Sequence, residues 1–393
     1  MGDSISYKDR IVSLLNKILI LLGTIFISII IIEFTLKLFG YQPVYYYPKD
    51  LFIYDADLGY RLSPLFKANN NLGEFQFDIN INSAGLRDIE YNQQQKNMLS
   101  VLGLGDSFTF GTGVNYEDTY LHQLEEIIKA SRVVCRVINA GVPGYGTKHE
   151  LLFYRKYGLQ YKSGIVLVGF NITNDPNDNL RDYSVKNGFI IEKKTGNNEP
   201  SASKFYILKS FLRTHSRLYS FIINRLKNNP KIQELLIRFN ISINVFPIEL
   251  QFYKKTSPSI LKNEYQTAEI ILKQLKKTCL ENNAKLIIIG IPSQSQVYPD
   301  LWQKVKKLYG LKGEDYDLDL PNKIFSKVCY DNQIAFVDLL PLFRQYAQQG
   351  KKLYYKIDGH WNKEGHKAAA QIIYLFFKKH KYLESVNNIG REF

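Results

Sequence analysis

Two short turns carry the side chains from which covalent chemistry could be built. Gly105-Asp106-Ser107 closes the apolar run "LSVLGLG" at residues 99–105. Asp358 and His360 stand two apart in "DGHWNKEGH", residues 358–366. Nucleophilic catalysis by a serine needs a base to take its proton and a carboxylate to orient that base. An Asp-x-His pair on a tight loop supplies both: Asp358 would accept from Nδ1 of His360 and leave Nε2 for Ser107. His366 is the competing base, but it falls inside a helix expected to begin near Lys363. The spacing of Asp358, His360 and His366 is weak evidence for metal ligation, so no metal and no cofactor is expected.

Taken singly, each residue has a plainer explanation. Asp106-Ser107 reads as a helix N-cap, Gly141 as a turn glycine, and Asn174-Asp175 before Pro176 as turn chemistry. A lone His360 reads as a surface histidine, and Trp361 as packing. What joins them is their place along the chain. Short continuous apolar runs occur at 99–105, 136–141, 164–170, 285–292 and 335–340, separated by helical patterns such as 120–128, 148–157, 264–282 and 321–332. That alternation predicts an α/β fold, a three-layer doubly wound sheet of parallel strands buried on both faces. In such sheets the site lies at the carboxyl ends of the strands. Each run here ends in a polar or Gly-rich turn. Asp106 and Asp175 are expected to brace two of them. "IPSQSQVYP" at 291–299 follows the fourth run, so Gln294, Gln296 and Tyr298 are candidate substrate-binding residues. Arg87 in "NSAGLRD" either reaches the site or closes a turn.

The set resembles the SGNH hydrolases, also called the GDSL esterase family, whose fold is of this flavodoxin-like kind. Their first block, a Gly-Asp-Ser after the first strand, matches Gly105-Asp106-Ser107. Their second supplies an oxyanion-hole glycine, matched by Gly141 in "NAGVPGYG", and their third an Asn, matched by Asn174-Asp175 in "FNITNDPNDN". Their last supplies Asp and His, matched by Asp358 and His360. The resemblance covers about residues 98–182 and 265–380. It implies an oxyanion hole of the Ser107 and Gly141 N–H groups and the Asn174 amide. Two departures stand out. Many members have two residues between the last Asp and His, where this chain has one. A glycine usually lies two before the third-block Asn, where this chain has Ile172. The short Asp-x-His spacing with Trp-Asn behind it resembles the branch that modifies bacterial cell-surface polysaccharides.

The resemblance implies a serine esterase or O-acyltransferase, acting through an acyl-enzyme on an acylated or acetylated polysaccharide. The alternatives are a lysophospholipase or lipase at a membrane surface, and a non-catalytic glycan-binding subunit of exopolysaccharide assembly. The partners expected are an acylated glycan or lipid ester and a membrane.

The rest of the 393 residues bears on where this happens. Residues 1–40 read as a membrane anchor. The charge-free centre, 18–32, is short of the roughly 20 residues a span needs, but flanking apolar residues lengthen it, and Lys17 and Lys37 can snorkel. Glu33 lies near the distal end, where a charge costs less. No small-residue cleavage pattern follows the run, which favours an uncleaved anchor over a signal peptide. Lys8, Arg10 and Lys17 before it put the N-terminus in the cytoplasm and the remainder in the periplasm or outside the cell. Tyr41, Tyr45, Tyr46 and Tyr47 would form an interfacial belt. Residues 41–97 form a lead-in with short strands, and 98–385 the hydrolase domain, with a basic helical insertion at 183–263. The chain carries +14. Residues 181–262 hold fifteen Lys/Arg against five Asp/Glu, which suits an acidic polymer or anionic lipid, or a solvated face. Within the insertion, Leu208, Leu212, Tyr219, Ile222 and Leu226 oppose Lys204, Lys209, Arg213 and Arg217 at helical spacing, as in a lid, a membrane-surface helix or a docked surface helix. No nucleic-acid role is expected, since no recognition motif accompanies the basic stretch. Cys135, Cys279 and Cys329 fit no zinc or redox motif and read as buried thiols.

Overall fold

In the computed structural model the described residues are 7–39, 41, 47–72, 74–91, 98–186, 188–193, 212, 216–227, 248–356 and 358–384. The chain divides into two units, one of residues 1–46 and 196–241, the other of 47–195 and 242–393.

In the first unit, helix α1 (Tyr7–Leu38) contains a 27-residue apolar window, Val12–Leu38, of mean hydropathy 2.6 with none of it buried. At 1.5 Å per residue such a helix is long enough to cross a bilayer. Glu33 caps a second helix, Arg217–Lys227: its carboxylate accepts from the N–H groups of Arg217 (2.6 Å) and Leu218 (3.0 Å) and from Ser216 Oγ (3.1 Å). The one acid in the apolar run therefore satisfies first-turn donors that a helix cannot satisfy itself. The expected amphipathic helix is described only from 217 on and at 212. Lys204, Leu208, Lys209 and Arg213 lie outside the described residues, as do Tyr45 and Tyr46. Tyr47 is not a belt residue. It belongs to the other unit, where its ring meets Phe52 and Phe110 and its hydroxyl lies 2.9 Å from Thr112 Oγ1.

The second unit opens with two antiparallel hairpins, β1 (Phe52–Asp55) with β2 (Gly59–Leu62) and β3 (Lys67–Asn71) with β4 (Gln76–Asn80). The central sheet comprises β5 (Leu99–Gly105), β6 (Cys135–Gly141), β7 (Ile165–Asn171), β10 (Lys285–Ile291) and β11 (Ala335–Asp338), all parallel in the order β11-β10-β7-β5-β6. The remaining hairpin, β8 (Asp182–Lys186) with β9 (Phe189–Lys193), follows the third sheet strand. The five apolar runs of the sequence become the five sheet strands with ends displaced by no more than two residues. The last run is cut short because Pro341 starts a helix, Leu340–Gln348, inside it.

Alternation along each strand divides the core. Leu102, Leu104, Val166, Val168 and Ile288 face one layer, with Leu272 and Leu275 of the helix Lys262–Glu281. Val101, Val137, Leu167, Ile287 and Ile289 face the other, with Leu121 and Leu124 of Tyr120–Ala130 and Ala369 and Ile373 of Lys363–Lys379. Burial on both faces explains why the strands read as unbroken apolar runs. Phe52, Tyr60, Phe77 and Ile79 from the opening hairpins join the first layer.

Strand β6 ends the sheet, so its outer N–H groups need other acceptors. Every second one has a side chain. Val137 N donates to Glu125 Oε2 (2.6 Å), Asn139 N to Asp88 Oδ2 (2.7 Å), and Gly141 N to Asn139 Oδ1 (3.0 Å). Arg136 bridges Asp88 and Glu125.

Arg87 closes a turn in an unusual way. It is 1% exposed and pairs with no carboxylate among the described residues. Its guanidinium donates to the carbonyls of Asp78, Phe110, Gly111 and Val114 at 2.7–2.8 Å and stacks on Phe77 and Phe110. Burial pulls its pKa down to about 10. Lysine cannot present this fork. Arg87→Lys should therefore lower unfolding stability by roughly 2–4 kcal/mol through orphaned carbonyls. Urea titration would read this as a lower midpoint at unchanged slope, and an unchanged midpoint would contradict the clamp.

Candidate active site

The turn after β5 is built for close approach. Gly105 has φ +154°, and a Cβ there would lie 2.0 Å from Thr109 Oγ1. A Cβ on Gly169 of β7 would lie 2.4 Å from the same atom. The two bare positions let the short helix Ser107–Phe110 sit directly on the strand ends, with Thr109 Oγ1 3.0 Å from the Tyr120 hydroxyl. Asp106 is the N-cap: its Oδ1 accepts from Phe108 N at 2.8 Å. The capping role thus belongs to Asp106, and the Ser107 hydroxyl points elsewhere. As first residue of the helix, Ser107 has an N–H with no intrahelical acceptor.

Ser107 Oγ lies 2.7 Å from His360 Nε2, and His360 Nδ1 is hydrogen-bonded to Asp358 Oδ1. The loop carrying this pair is pinned from several sides. Trp361, 1% exposed, packs against Phe108 and Phe343. Tyr355 N donates to the His360 carbonyl (2.8 Å), and Asn362 caps the following helix by accepting from Gly365 N (3.1 Å). Glu74, from the loop between β3 and β4, accepts from the N–H groups of Lys356 (2.5 Å) and Asp358 (3.0 Å). Nothing in the sequence pattern singled out Glu74.

His366 is elsewhere. It is 1% exposed within its helix, and its Nδ1 accepts from Tyr120 N at 3.2 Å. Burial pulls its pKa down to about 3, so it is a neutral acceptor at the start of helix Tyr120–Ala130.

A cavity of about 540 Å³ opens on Ser107 and His360. Its wall includes Asn171, Asn174, Glu249, Ser293, Gln294 and Ser295. Three of the residues expected at the site require correction. Gly141 does not line the cavity, because its N–H faces the sheet edge and is taken by Asn139. Gln296 is 2% exposed and holds its own turn together: Oε1 accepts from Ser293 N, and Nε2 donates to Leu318 O and Asn322 Oδ1. The Tyr298 hydroxyl accepts from Leu353 N at 2.7 Å and is absent from the wall. Of this segment, Gln294 lines the cavity as expected, together with Ser293 and Ser295.

Asn174 does line it, but its amide donates to Asp178 Oδ2 at 2.7 Å. Asn171, the last residue of β7, also lines it, and its amide has only a long contact, 3.4 Å, to Asp106 Oδ2. A signal for Asn171 was present in the sequence: Gly169 stands two residues before it, the spacing missing ahead of Asn174.

Residues 252–388 match the family described as "SGNH hydrolase-like domain, acetyltransferase AlgX". Ser107 lies outside the matched segment, and Asp358 and His360 lie within it. No curated protein matches the chain. Among solved structures, TesA is 12% identical and matches over 71% of this chain and 98% of its own, with a TM-score of 0.38. The acetyl xylan esterase AlAXEase is 12% identical over 70% and 98%, TM-score 0.39. A lipase/acylhydrolase from Enterococcus faecalis is 15% identical over 72% and 97%, TM-score 0.38.

Beneath the cavity the interior is acidic. Burial raises Asp106 to about 6 and Asp178 to about 7. Asp175, whose Oδ2 accepts from Asn171 N, and Glu150 are both fully buried and pushed well above the ordinary carboxylate range by burial and by the Asp106 carboxylate, with Glu150 adding to the shift of Asp175. Neither oxygen of Glu150 has a partner among the described residues. An acid whose folded pKa is raised binds its proton more tightly folded than unfolded. Its contribution therefore holds below the unfolded value, near 4.5, and is lost as pH climbs toward the folded value. Glu150→Gln, which imitates the protonated acid, should match the parent near pH 4.5 and exceed it at pH 8 by roughly 1 kcal/mol or more, each pKa unit being worth about 1.4 kcal/mol. Thermal unfolding at the two pH values would show this, and a variant less stable at pH 8 would refute it.

Proposed function

We propose that the chain, whose residues 252–388 match an SGNH hydrolase-like domain, is a serine-dependent acyl-ester hydrolase or O-acyltransferase working on an acetylated polysaccharide. The observation that carries the reading is the 2.7 Å contact from Ser107 Oγ to His360 Nε2, with Asp358 on Nδ1, at the floor of an open cavity. As Ser107 Oγ bonds to the ester carbonyl carbon, its proton passes to His360 Nε2, and Asp358 steadies the imidazolium. Collapse of the tetrahedral intermediate breaks the bond to the donor oxygen, which takes the proton back from His360. A sugar hydroxyl or water then repeats the sequence on the acyl-enzyme and frees Ser107. The oxyanion is received by the Ser107 N–H and the side-chain amide of Asn171. The matched family's description names an acetyltransferase, which favours acetyl as the group moved. A lipase reading would need an apolar wall, and Phe108 and Pro292 are the sole apolar residues among those described around the cavity.

Fluorophosphonate labelling and hydrolysis of p-nitrophenyl acetate test the proposal. Ser107→Ala should abolish labelling and lower the rate by at least about 10³-fold. Asn171→Ala should lower kcat by about 10²-fold, and Asn174→Ala much less. Folded protein that does not label, or labelling that survives Ser107→Ala, would end the reading.

The same proposal takes α1 as an uncleaved anchor with the N-terminus in the cytoplasm and the hydrolase-like domain outside it. Its support is the Val12–Leu38 window and the lack of a small-residue cleavage pattern after it. The full chain should stay with membranes through an alkaline carbonate wash at its full mass. Release, or a shortened chain, would count against it.

A further inference from the structure

The chain as a whole is basic at +14, yet the described lining of the cavity is not. Its charged lining residues among those described are Asp106, Glu249 and Asp358, with His360, and no Lys or Arg. Asp358 is occupied with His360, and Asp106 caps its helix. Glu249 has neither duty. Its carboxylate accepts from Ser295 Oγ at 3.1 Å and forms no ion pair among the described residues. It sits on the helix Ile248–Phe252, fixed by the buried Leu250, Phe252 and Tyr253, with the Tyr253 hydroxyl 2.6 Å from Ser293 Oγ. Burial raises its pKa, a sign of how little solvent shields it.

A carboxylate held in a polar wall accepts hydrogen bonds and donates none when ionised. It therefore suits hydroxyl groups, and it repels any anion brought beside it, more strongly in a partly desolvated cavity than in water. Lining residues of like sign exclude a ligand as effectively as good contacts admit one. We propose that Glu249 is a specificity-determining residue that makes the Ser107 cavity select an uncharged acylated sugar, its hydroxyls donating to Glu249, and reject sugars bearing a carboxylate. This inference rests on the acyl-transfer reading above. It separates the basic exterior of the chain from the preference of the site itself: charge on the surface does not make the reacting sugar anionic.

The test uses the full chain in detergent micelles with three esters: an acetylated neutral oligosaccharide, an acetylated oligouronate of the same length, and a lysophospholipid. Acetate or fatty-acid release gives kcat/KM for each. The neutral ester should exceed the uronate by at least about tenfold, which corresponds to about 1.4 kcal/mol, with the lysophospholipid lower still. Glu249→Gln should shrink the neutral-to-uronate ratio severalfold, chiefly through the KM of the uronate. Equal or better turnover of the uronate or the lysophospholipid by the parent protein would overturn the inference, and so would an unchanged ratio in folded Glu249→Gln. Should that variant fail to fold, the ratio of the parent protein decides alone. Absence of Ser107-dependent labelling together with no release from any ester would instead bring down the acyl-transfer reading, and this inference with it.

Discussion

The contact between Ser107 Oγ and His360 Nε2 joins residues 253 positions apart, and most of the second unit's unusual features exist on one side of it or the other. On the serine side, two bare strand positions admit a four-residue helix too short to hold itself together, and Asp106, Thr109 and Tyr120 tie it down. Arg87 then fixes the carbonyls of Phe110, Gly111 and Val114 just beyond it. On the histidine side, the buried Trp361 anchors a loop that has little regular structure of its own. The two sides meet through Phe108, whose ring lies 4.9 Å from the His360 ring and 5.0 Å from the Trp361 ring. A hydrogen bond of this kind is worth little unless both partners are held before substrate arrives, and here both are.

Charge is handled differently at each depth. Arg87 is buried among carbonyl oxygens, which cost no acid partner and leave the nearby carboxylates to other tasks. Asp88 and Glu125 share Arg136 and at the same time close the open edge of β6. Glu150 and Asp175 lie deeper, with no cation beside them among the described residues, and burial holds their pKa values well above the ordinary carboxylate range. Among the described residues of the cavity wall, the acids are Asp106, Glu249 and Asp358, with no Lys or Arg beside them.

The sheet was legible because its strands are buried on both faces, and continuous β-branched runs such as "GIVLVGF" have few other uses. The approach of Ser107 to Asp358 and His360 could be anticipated because a serine at a strand end and an Asp-x-His pair on a loop are rarely needed together. The errors came where a residue serves a local purpose that mimics a functional one. Gly141 ends the right strand, but the need to satisfy an edge N–H turns it toward Asn139. Gln296 follows the right strand, but its amide completes a capping box and reaches Asn322. Asn174 stands in the expected Asn-Asp pair, yet its amide is held by Asp178 at 2.7 Å, whereas that of Asn171, three residues earlier, has a longer bond of 3.4 Å to Asp106. Arg87 could be singled out but its carbonyl partners could not, and Glu74 and Glu249 were beyond sequence reading, because most of their partners are 23 to 284 residues away and periodicity carries no information about contacts at that range.

That last group also bears on where the functional body begins. Residues 47–97 supply Glu74, which fixes the N–H of Asp358, as well as Arg87, which fixes the loop beyond Ser107, and Asp88, which closes the edge of β6. They also contribute Tyr60 and Phe77 to the core layer on one face of the sheet. A body starting at residue 98 would keep all five sheet strands and the Ser-His-Asp set. It would also orphan the carbonyls of Phe110, Gly111 and Val114 and the edge N–H of Asn139, and leave Asp358 on an unclamped loop. Each orphaned buried group costs about 1–3 kcal/mol, against a total stability of about 5–15 kcal/mol for a domain. The opening hairpins are on this reckoning part of the body that carries the site, although nothing in their own sequence resembles it.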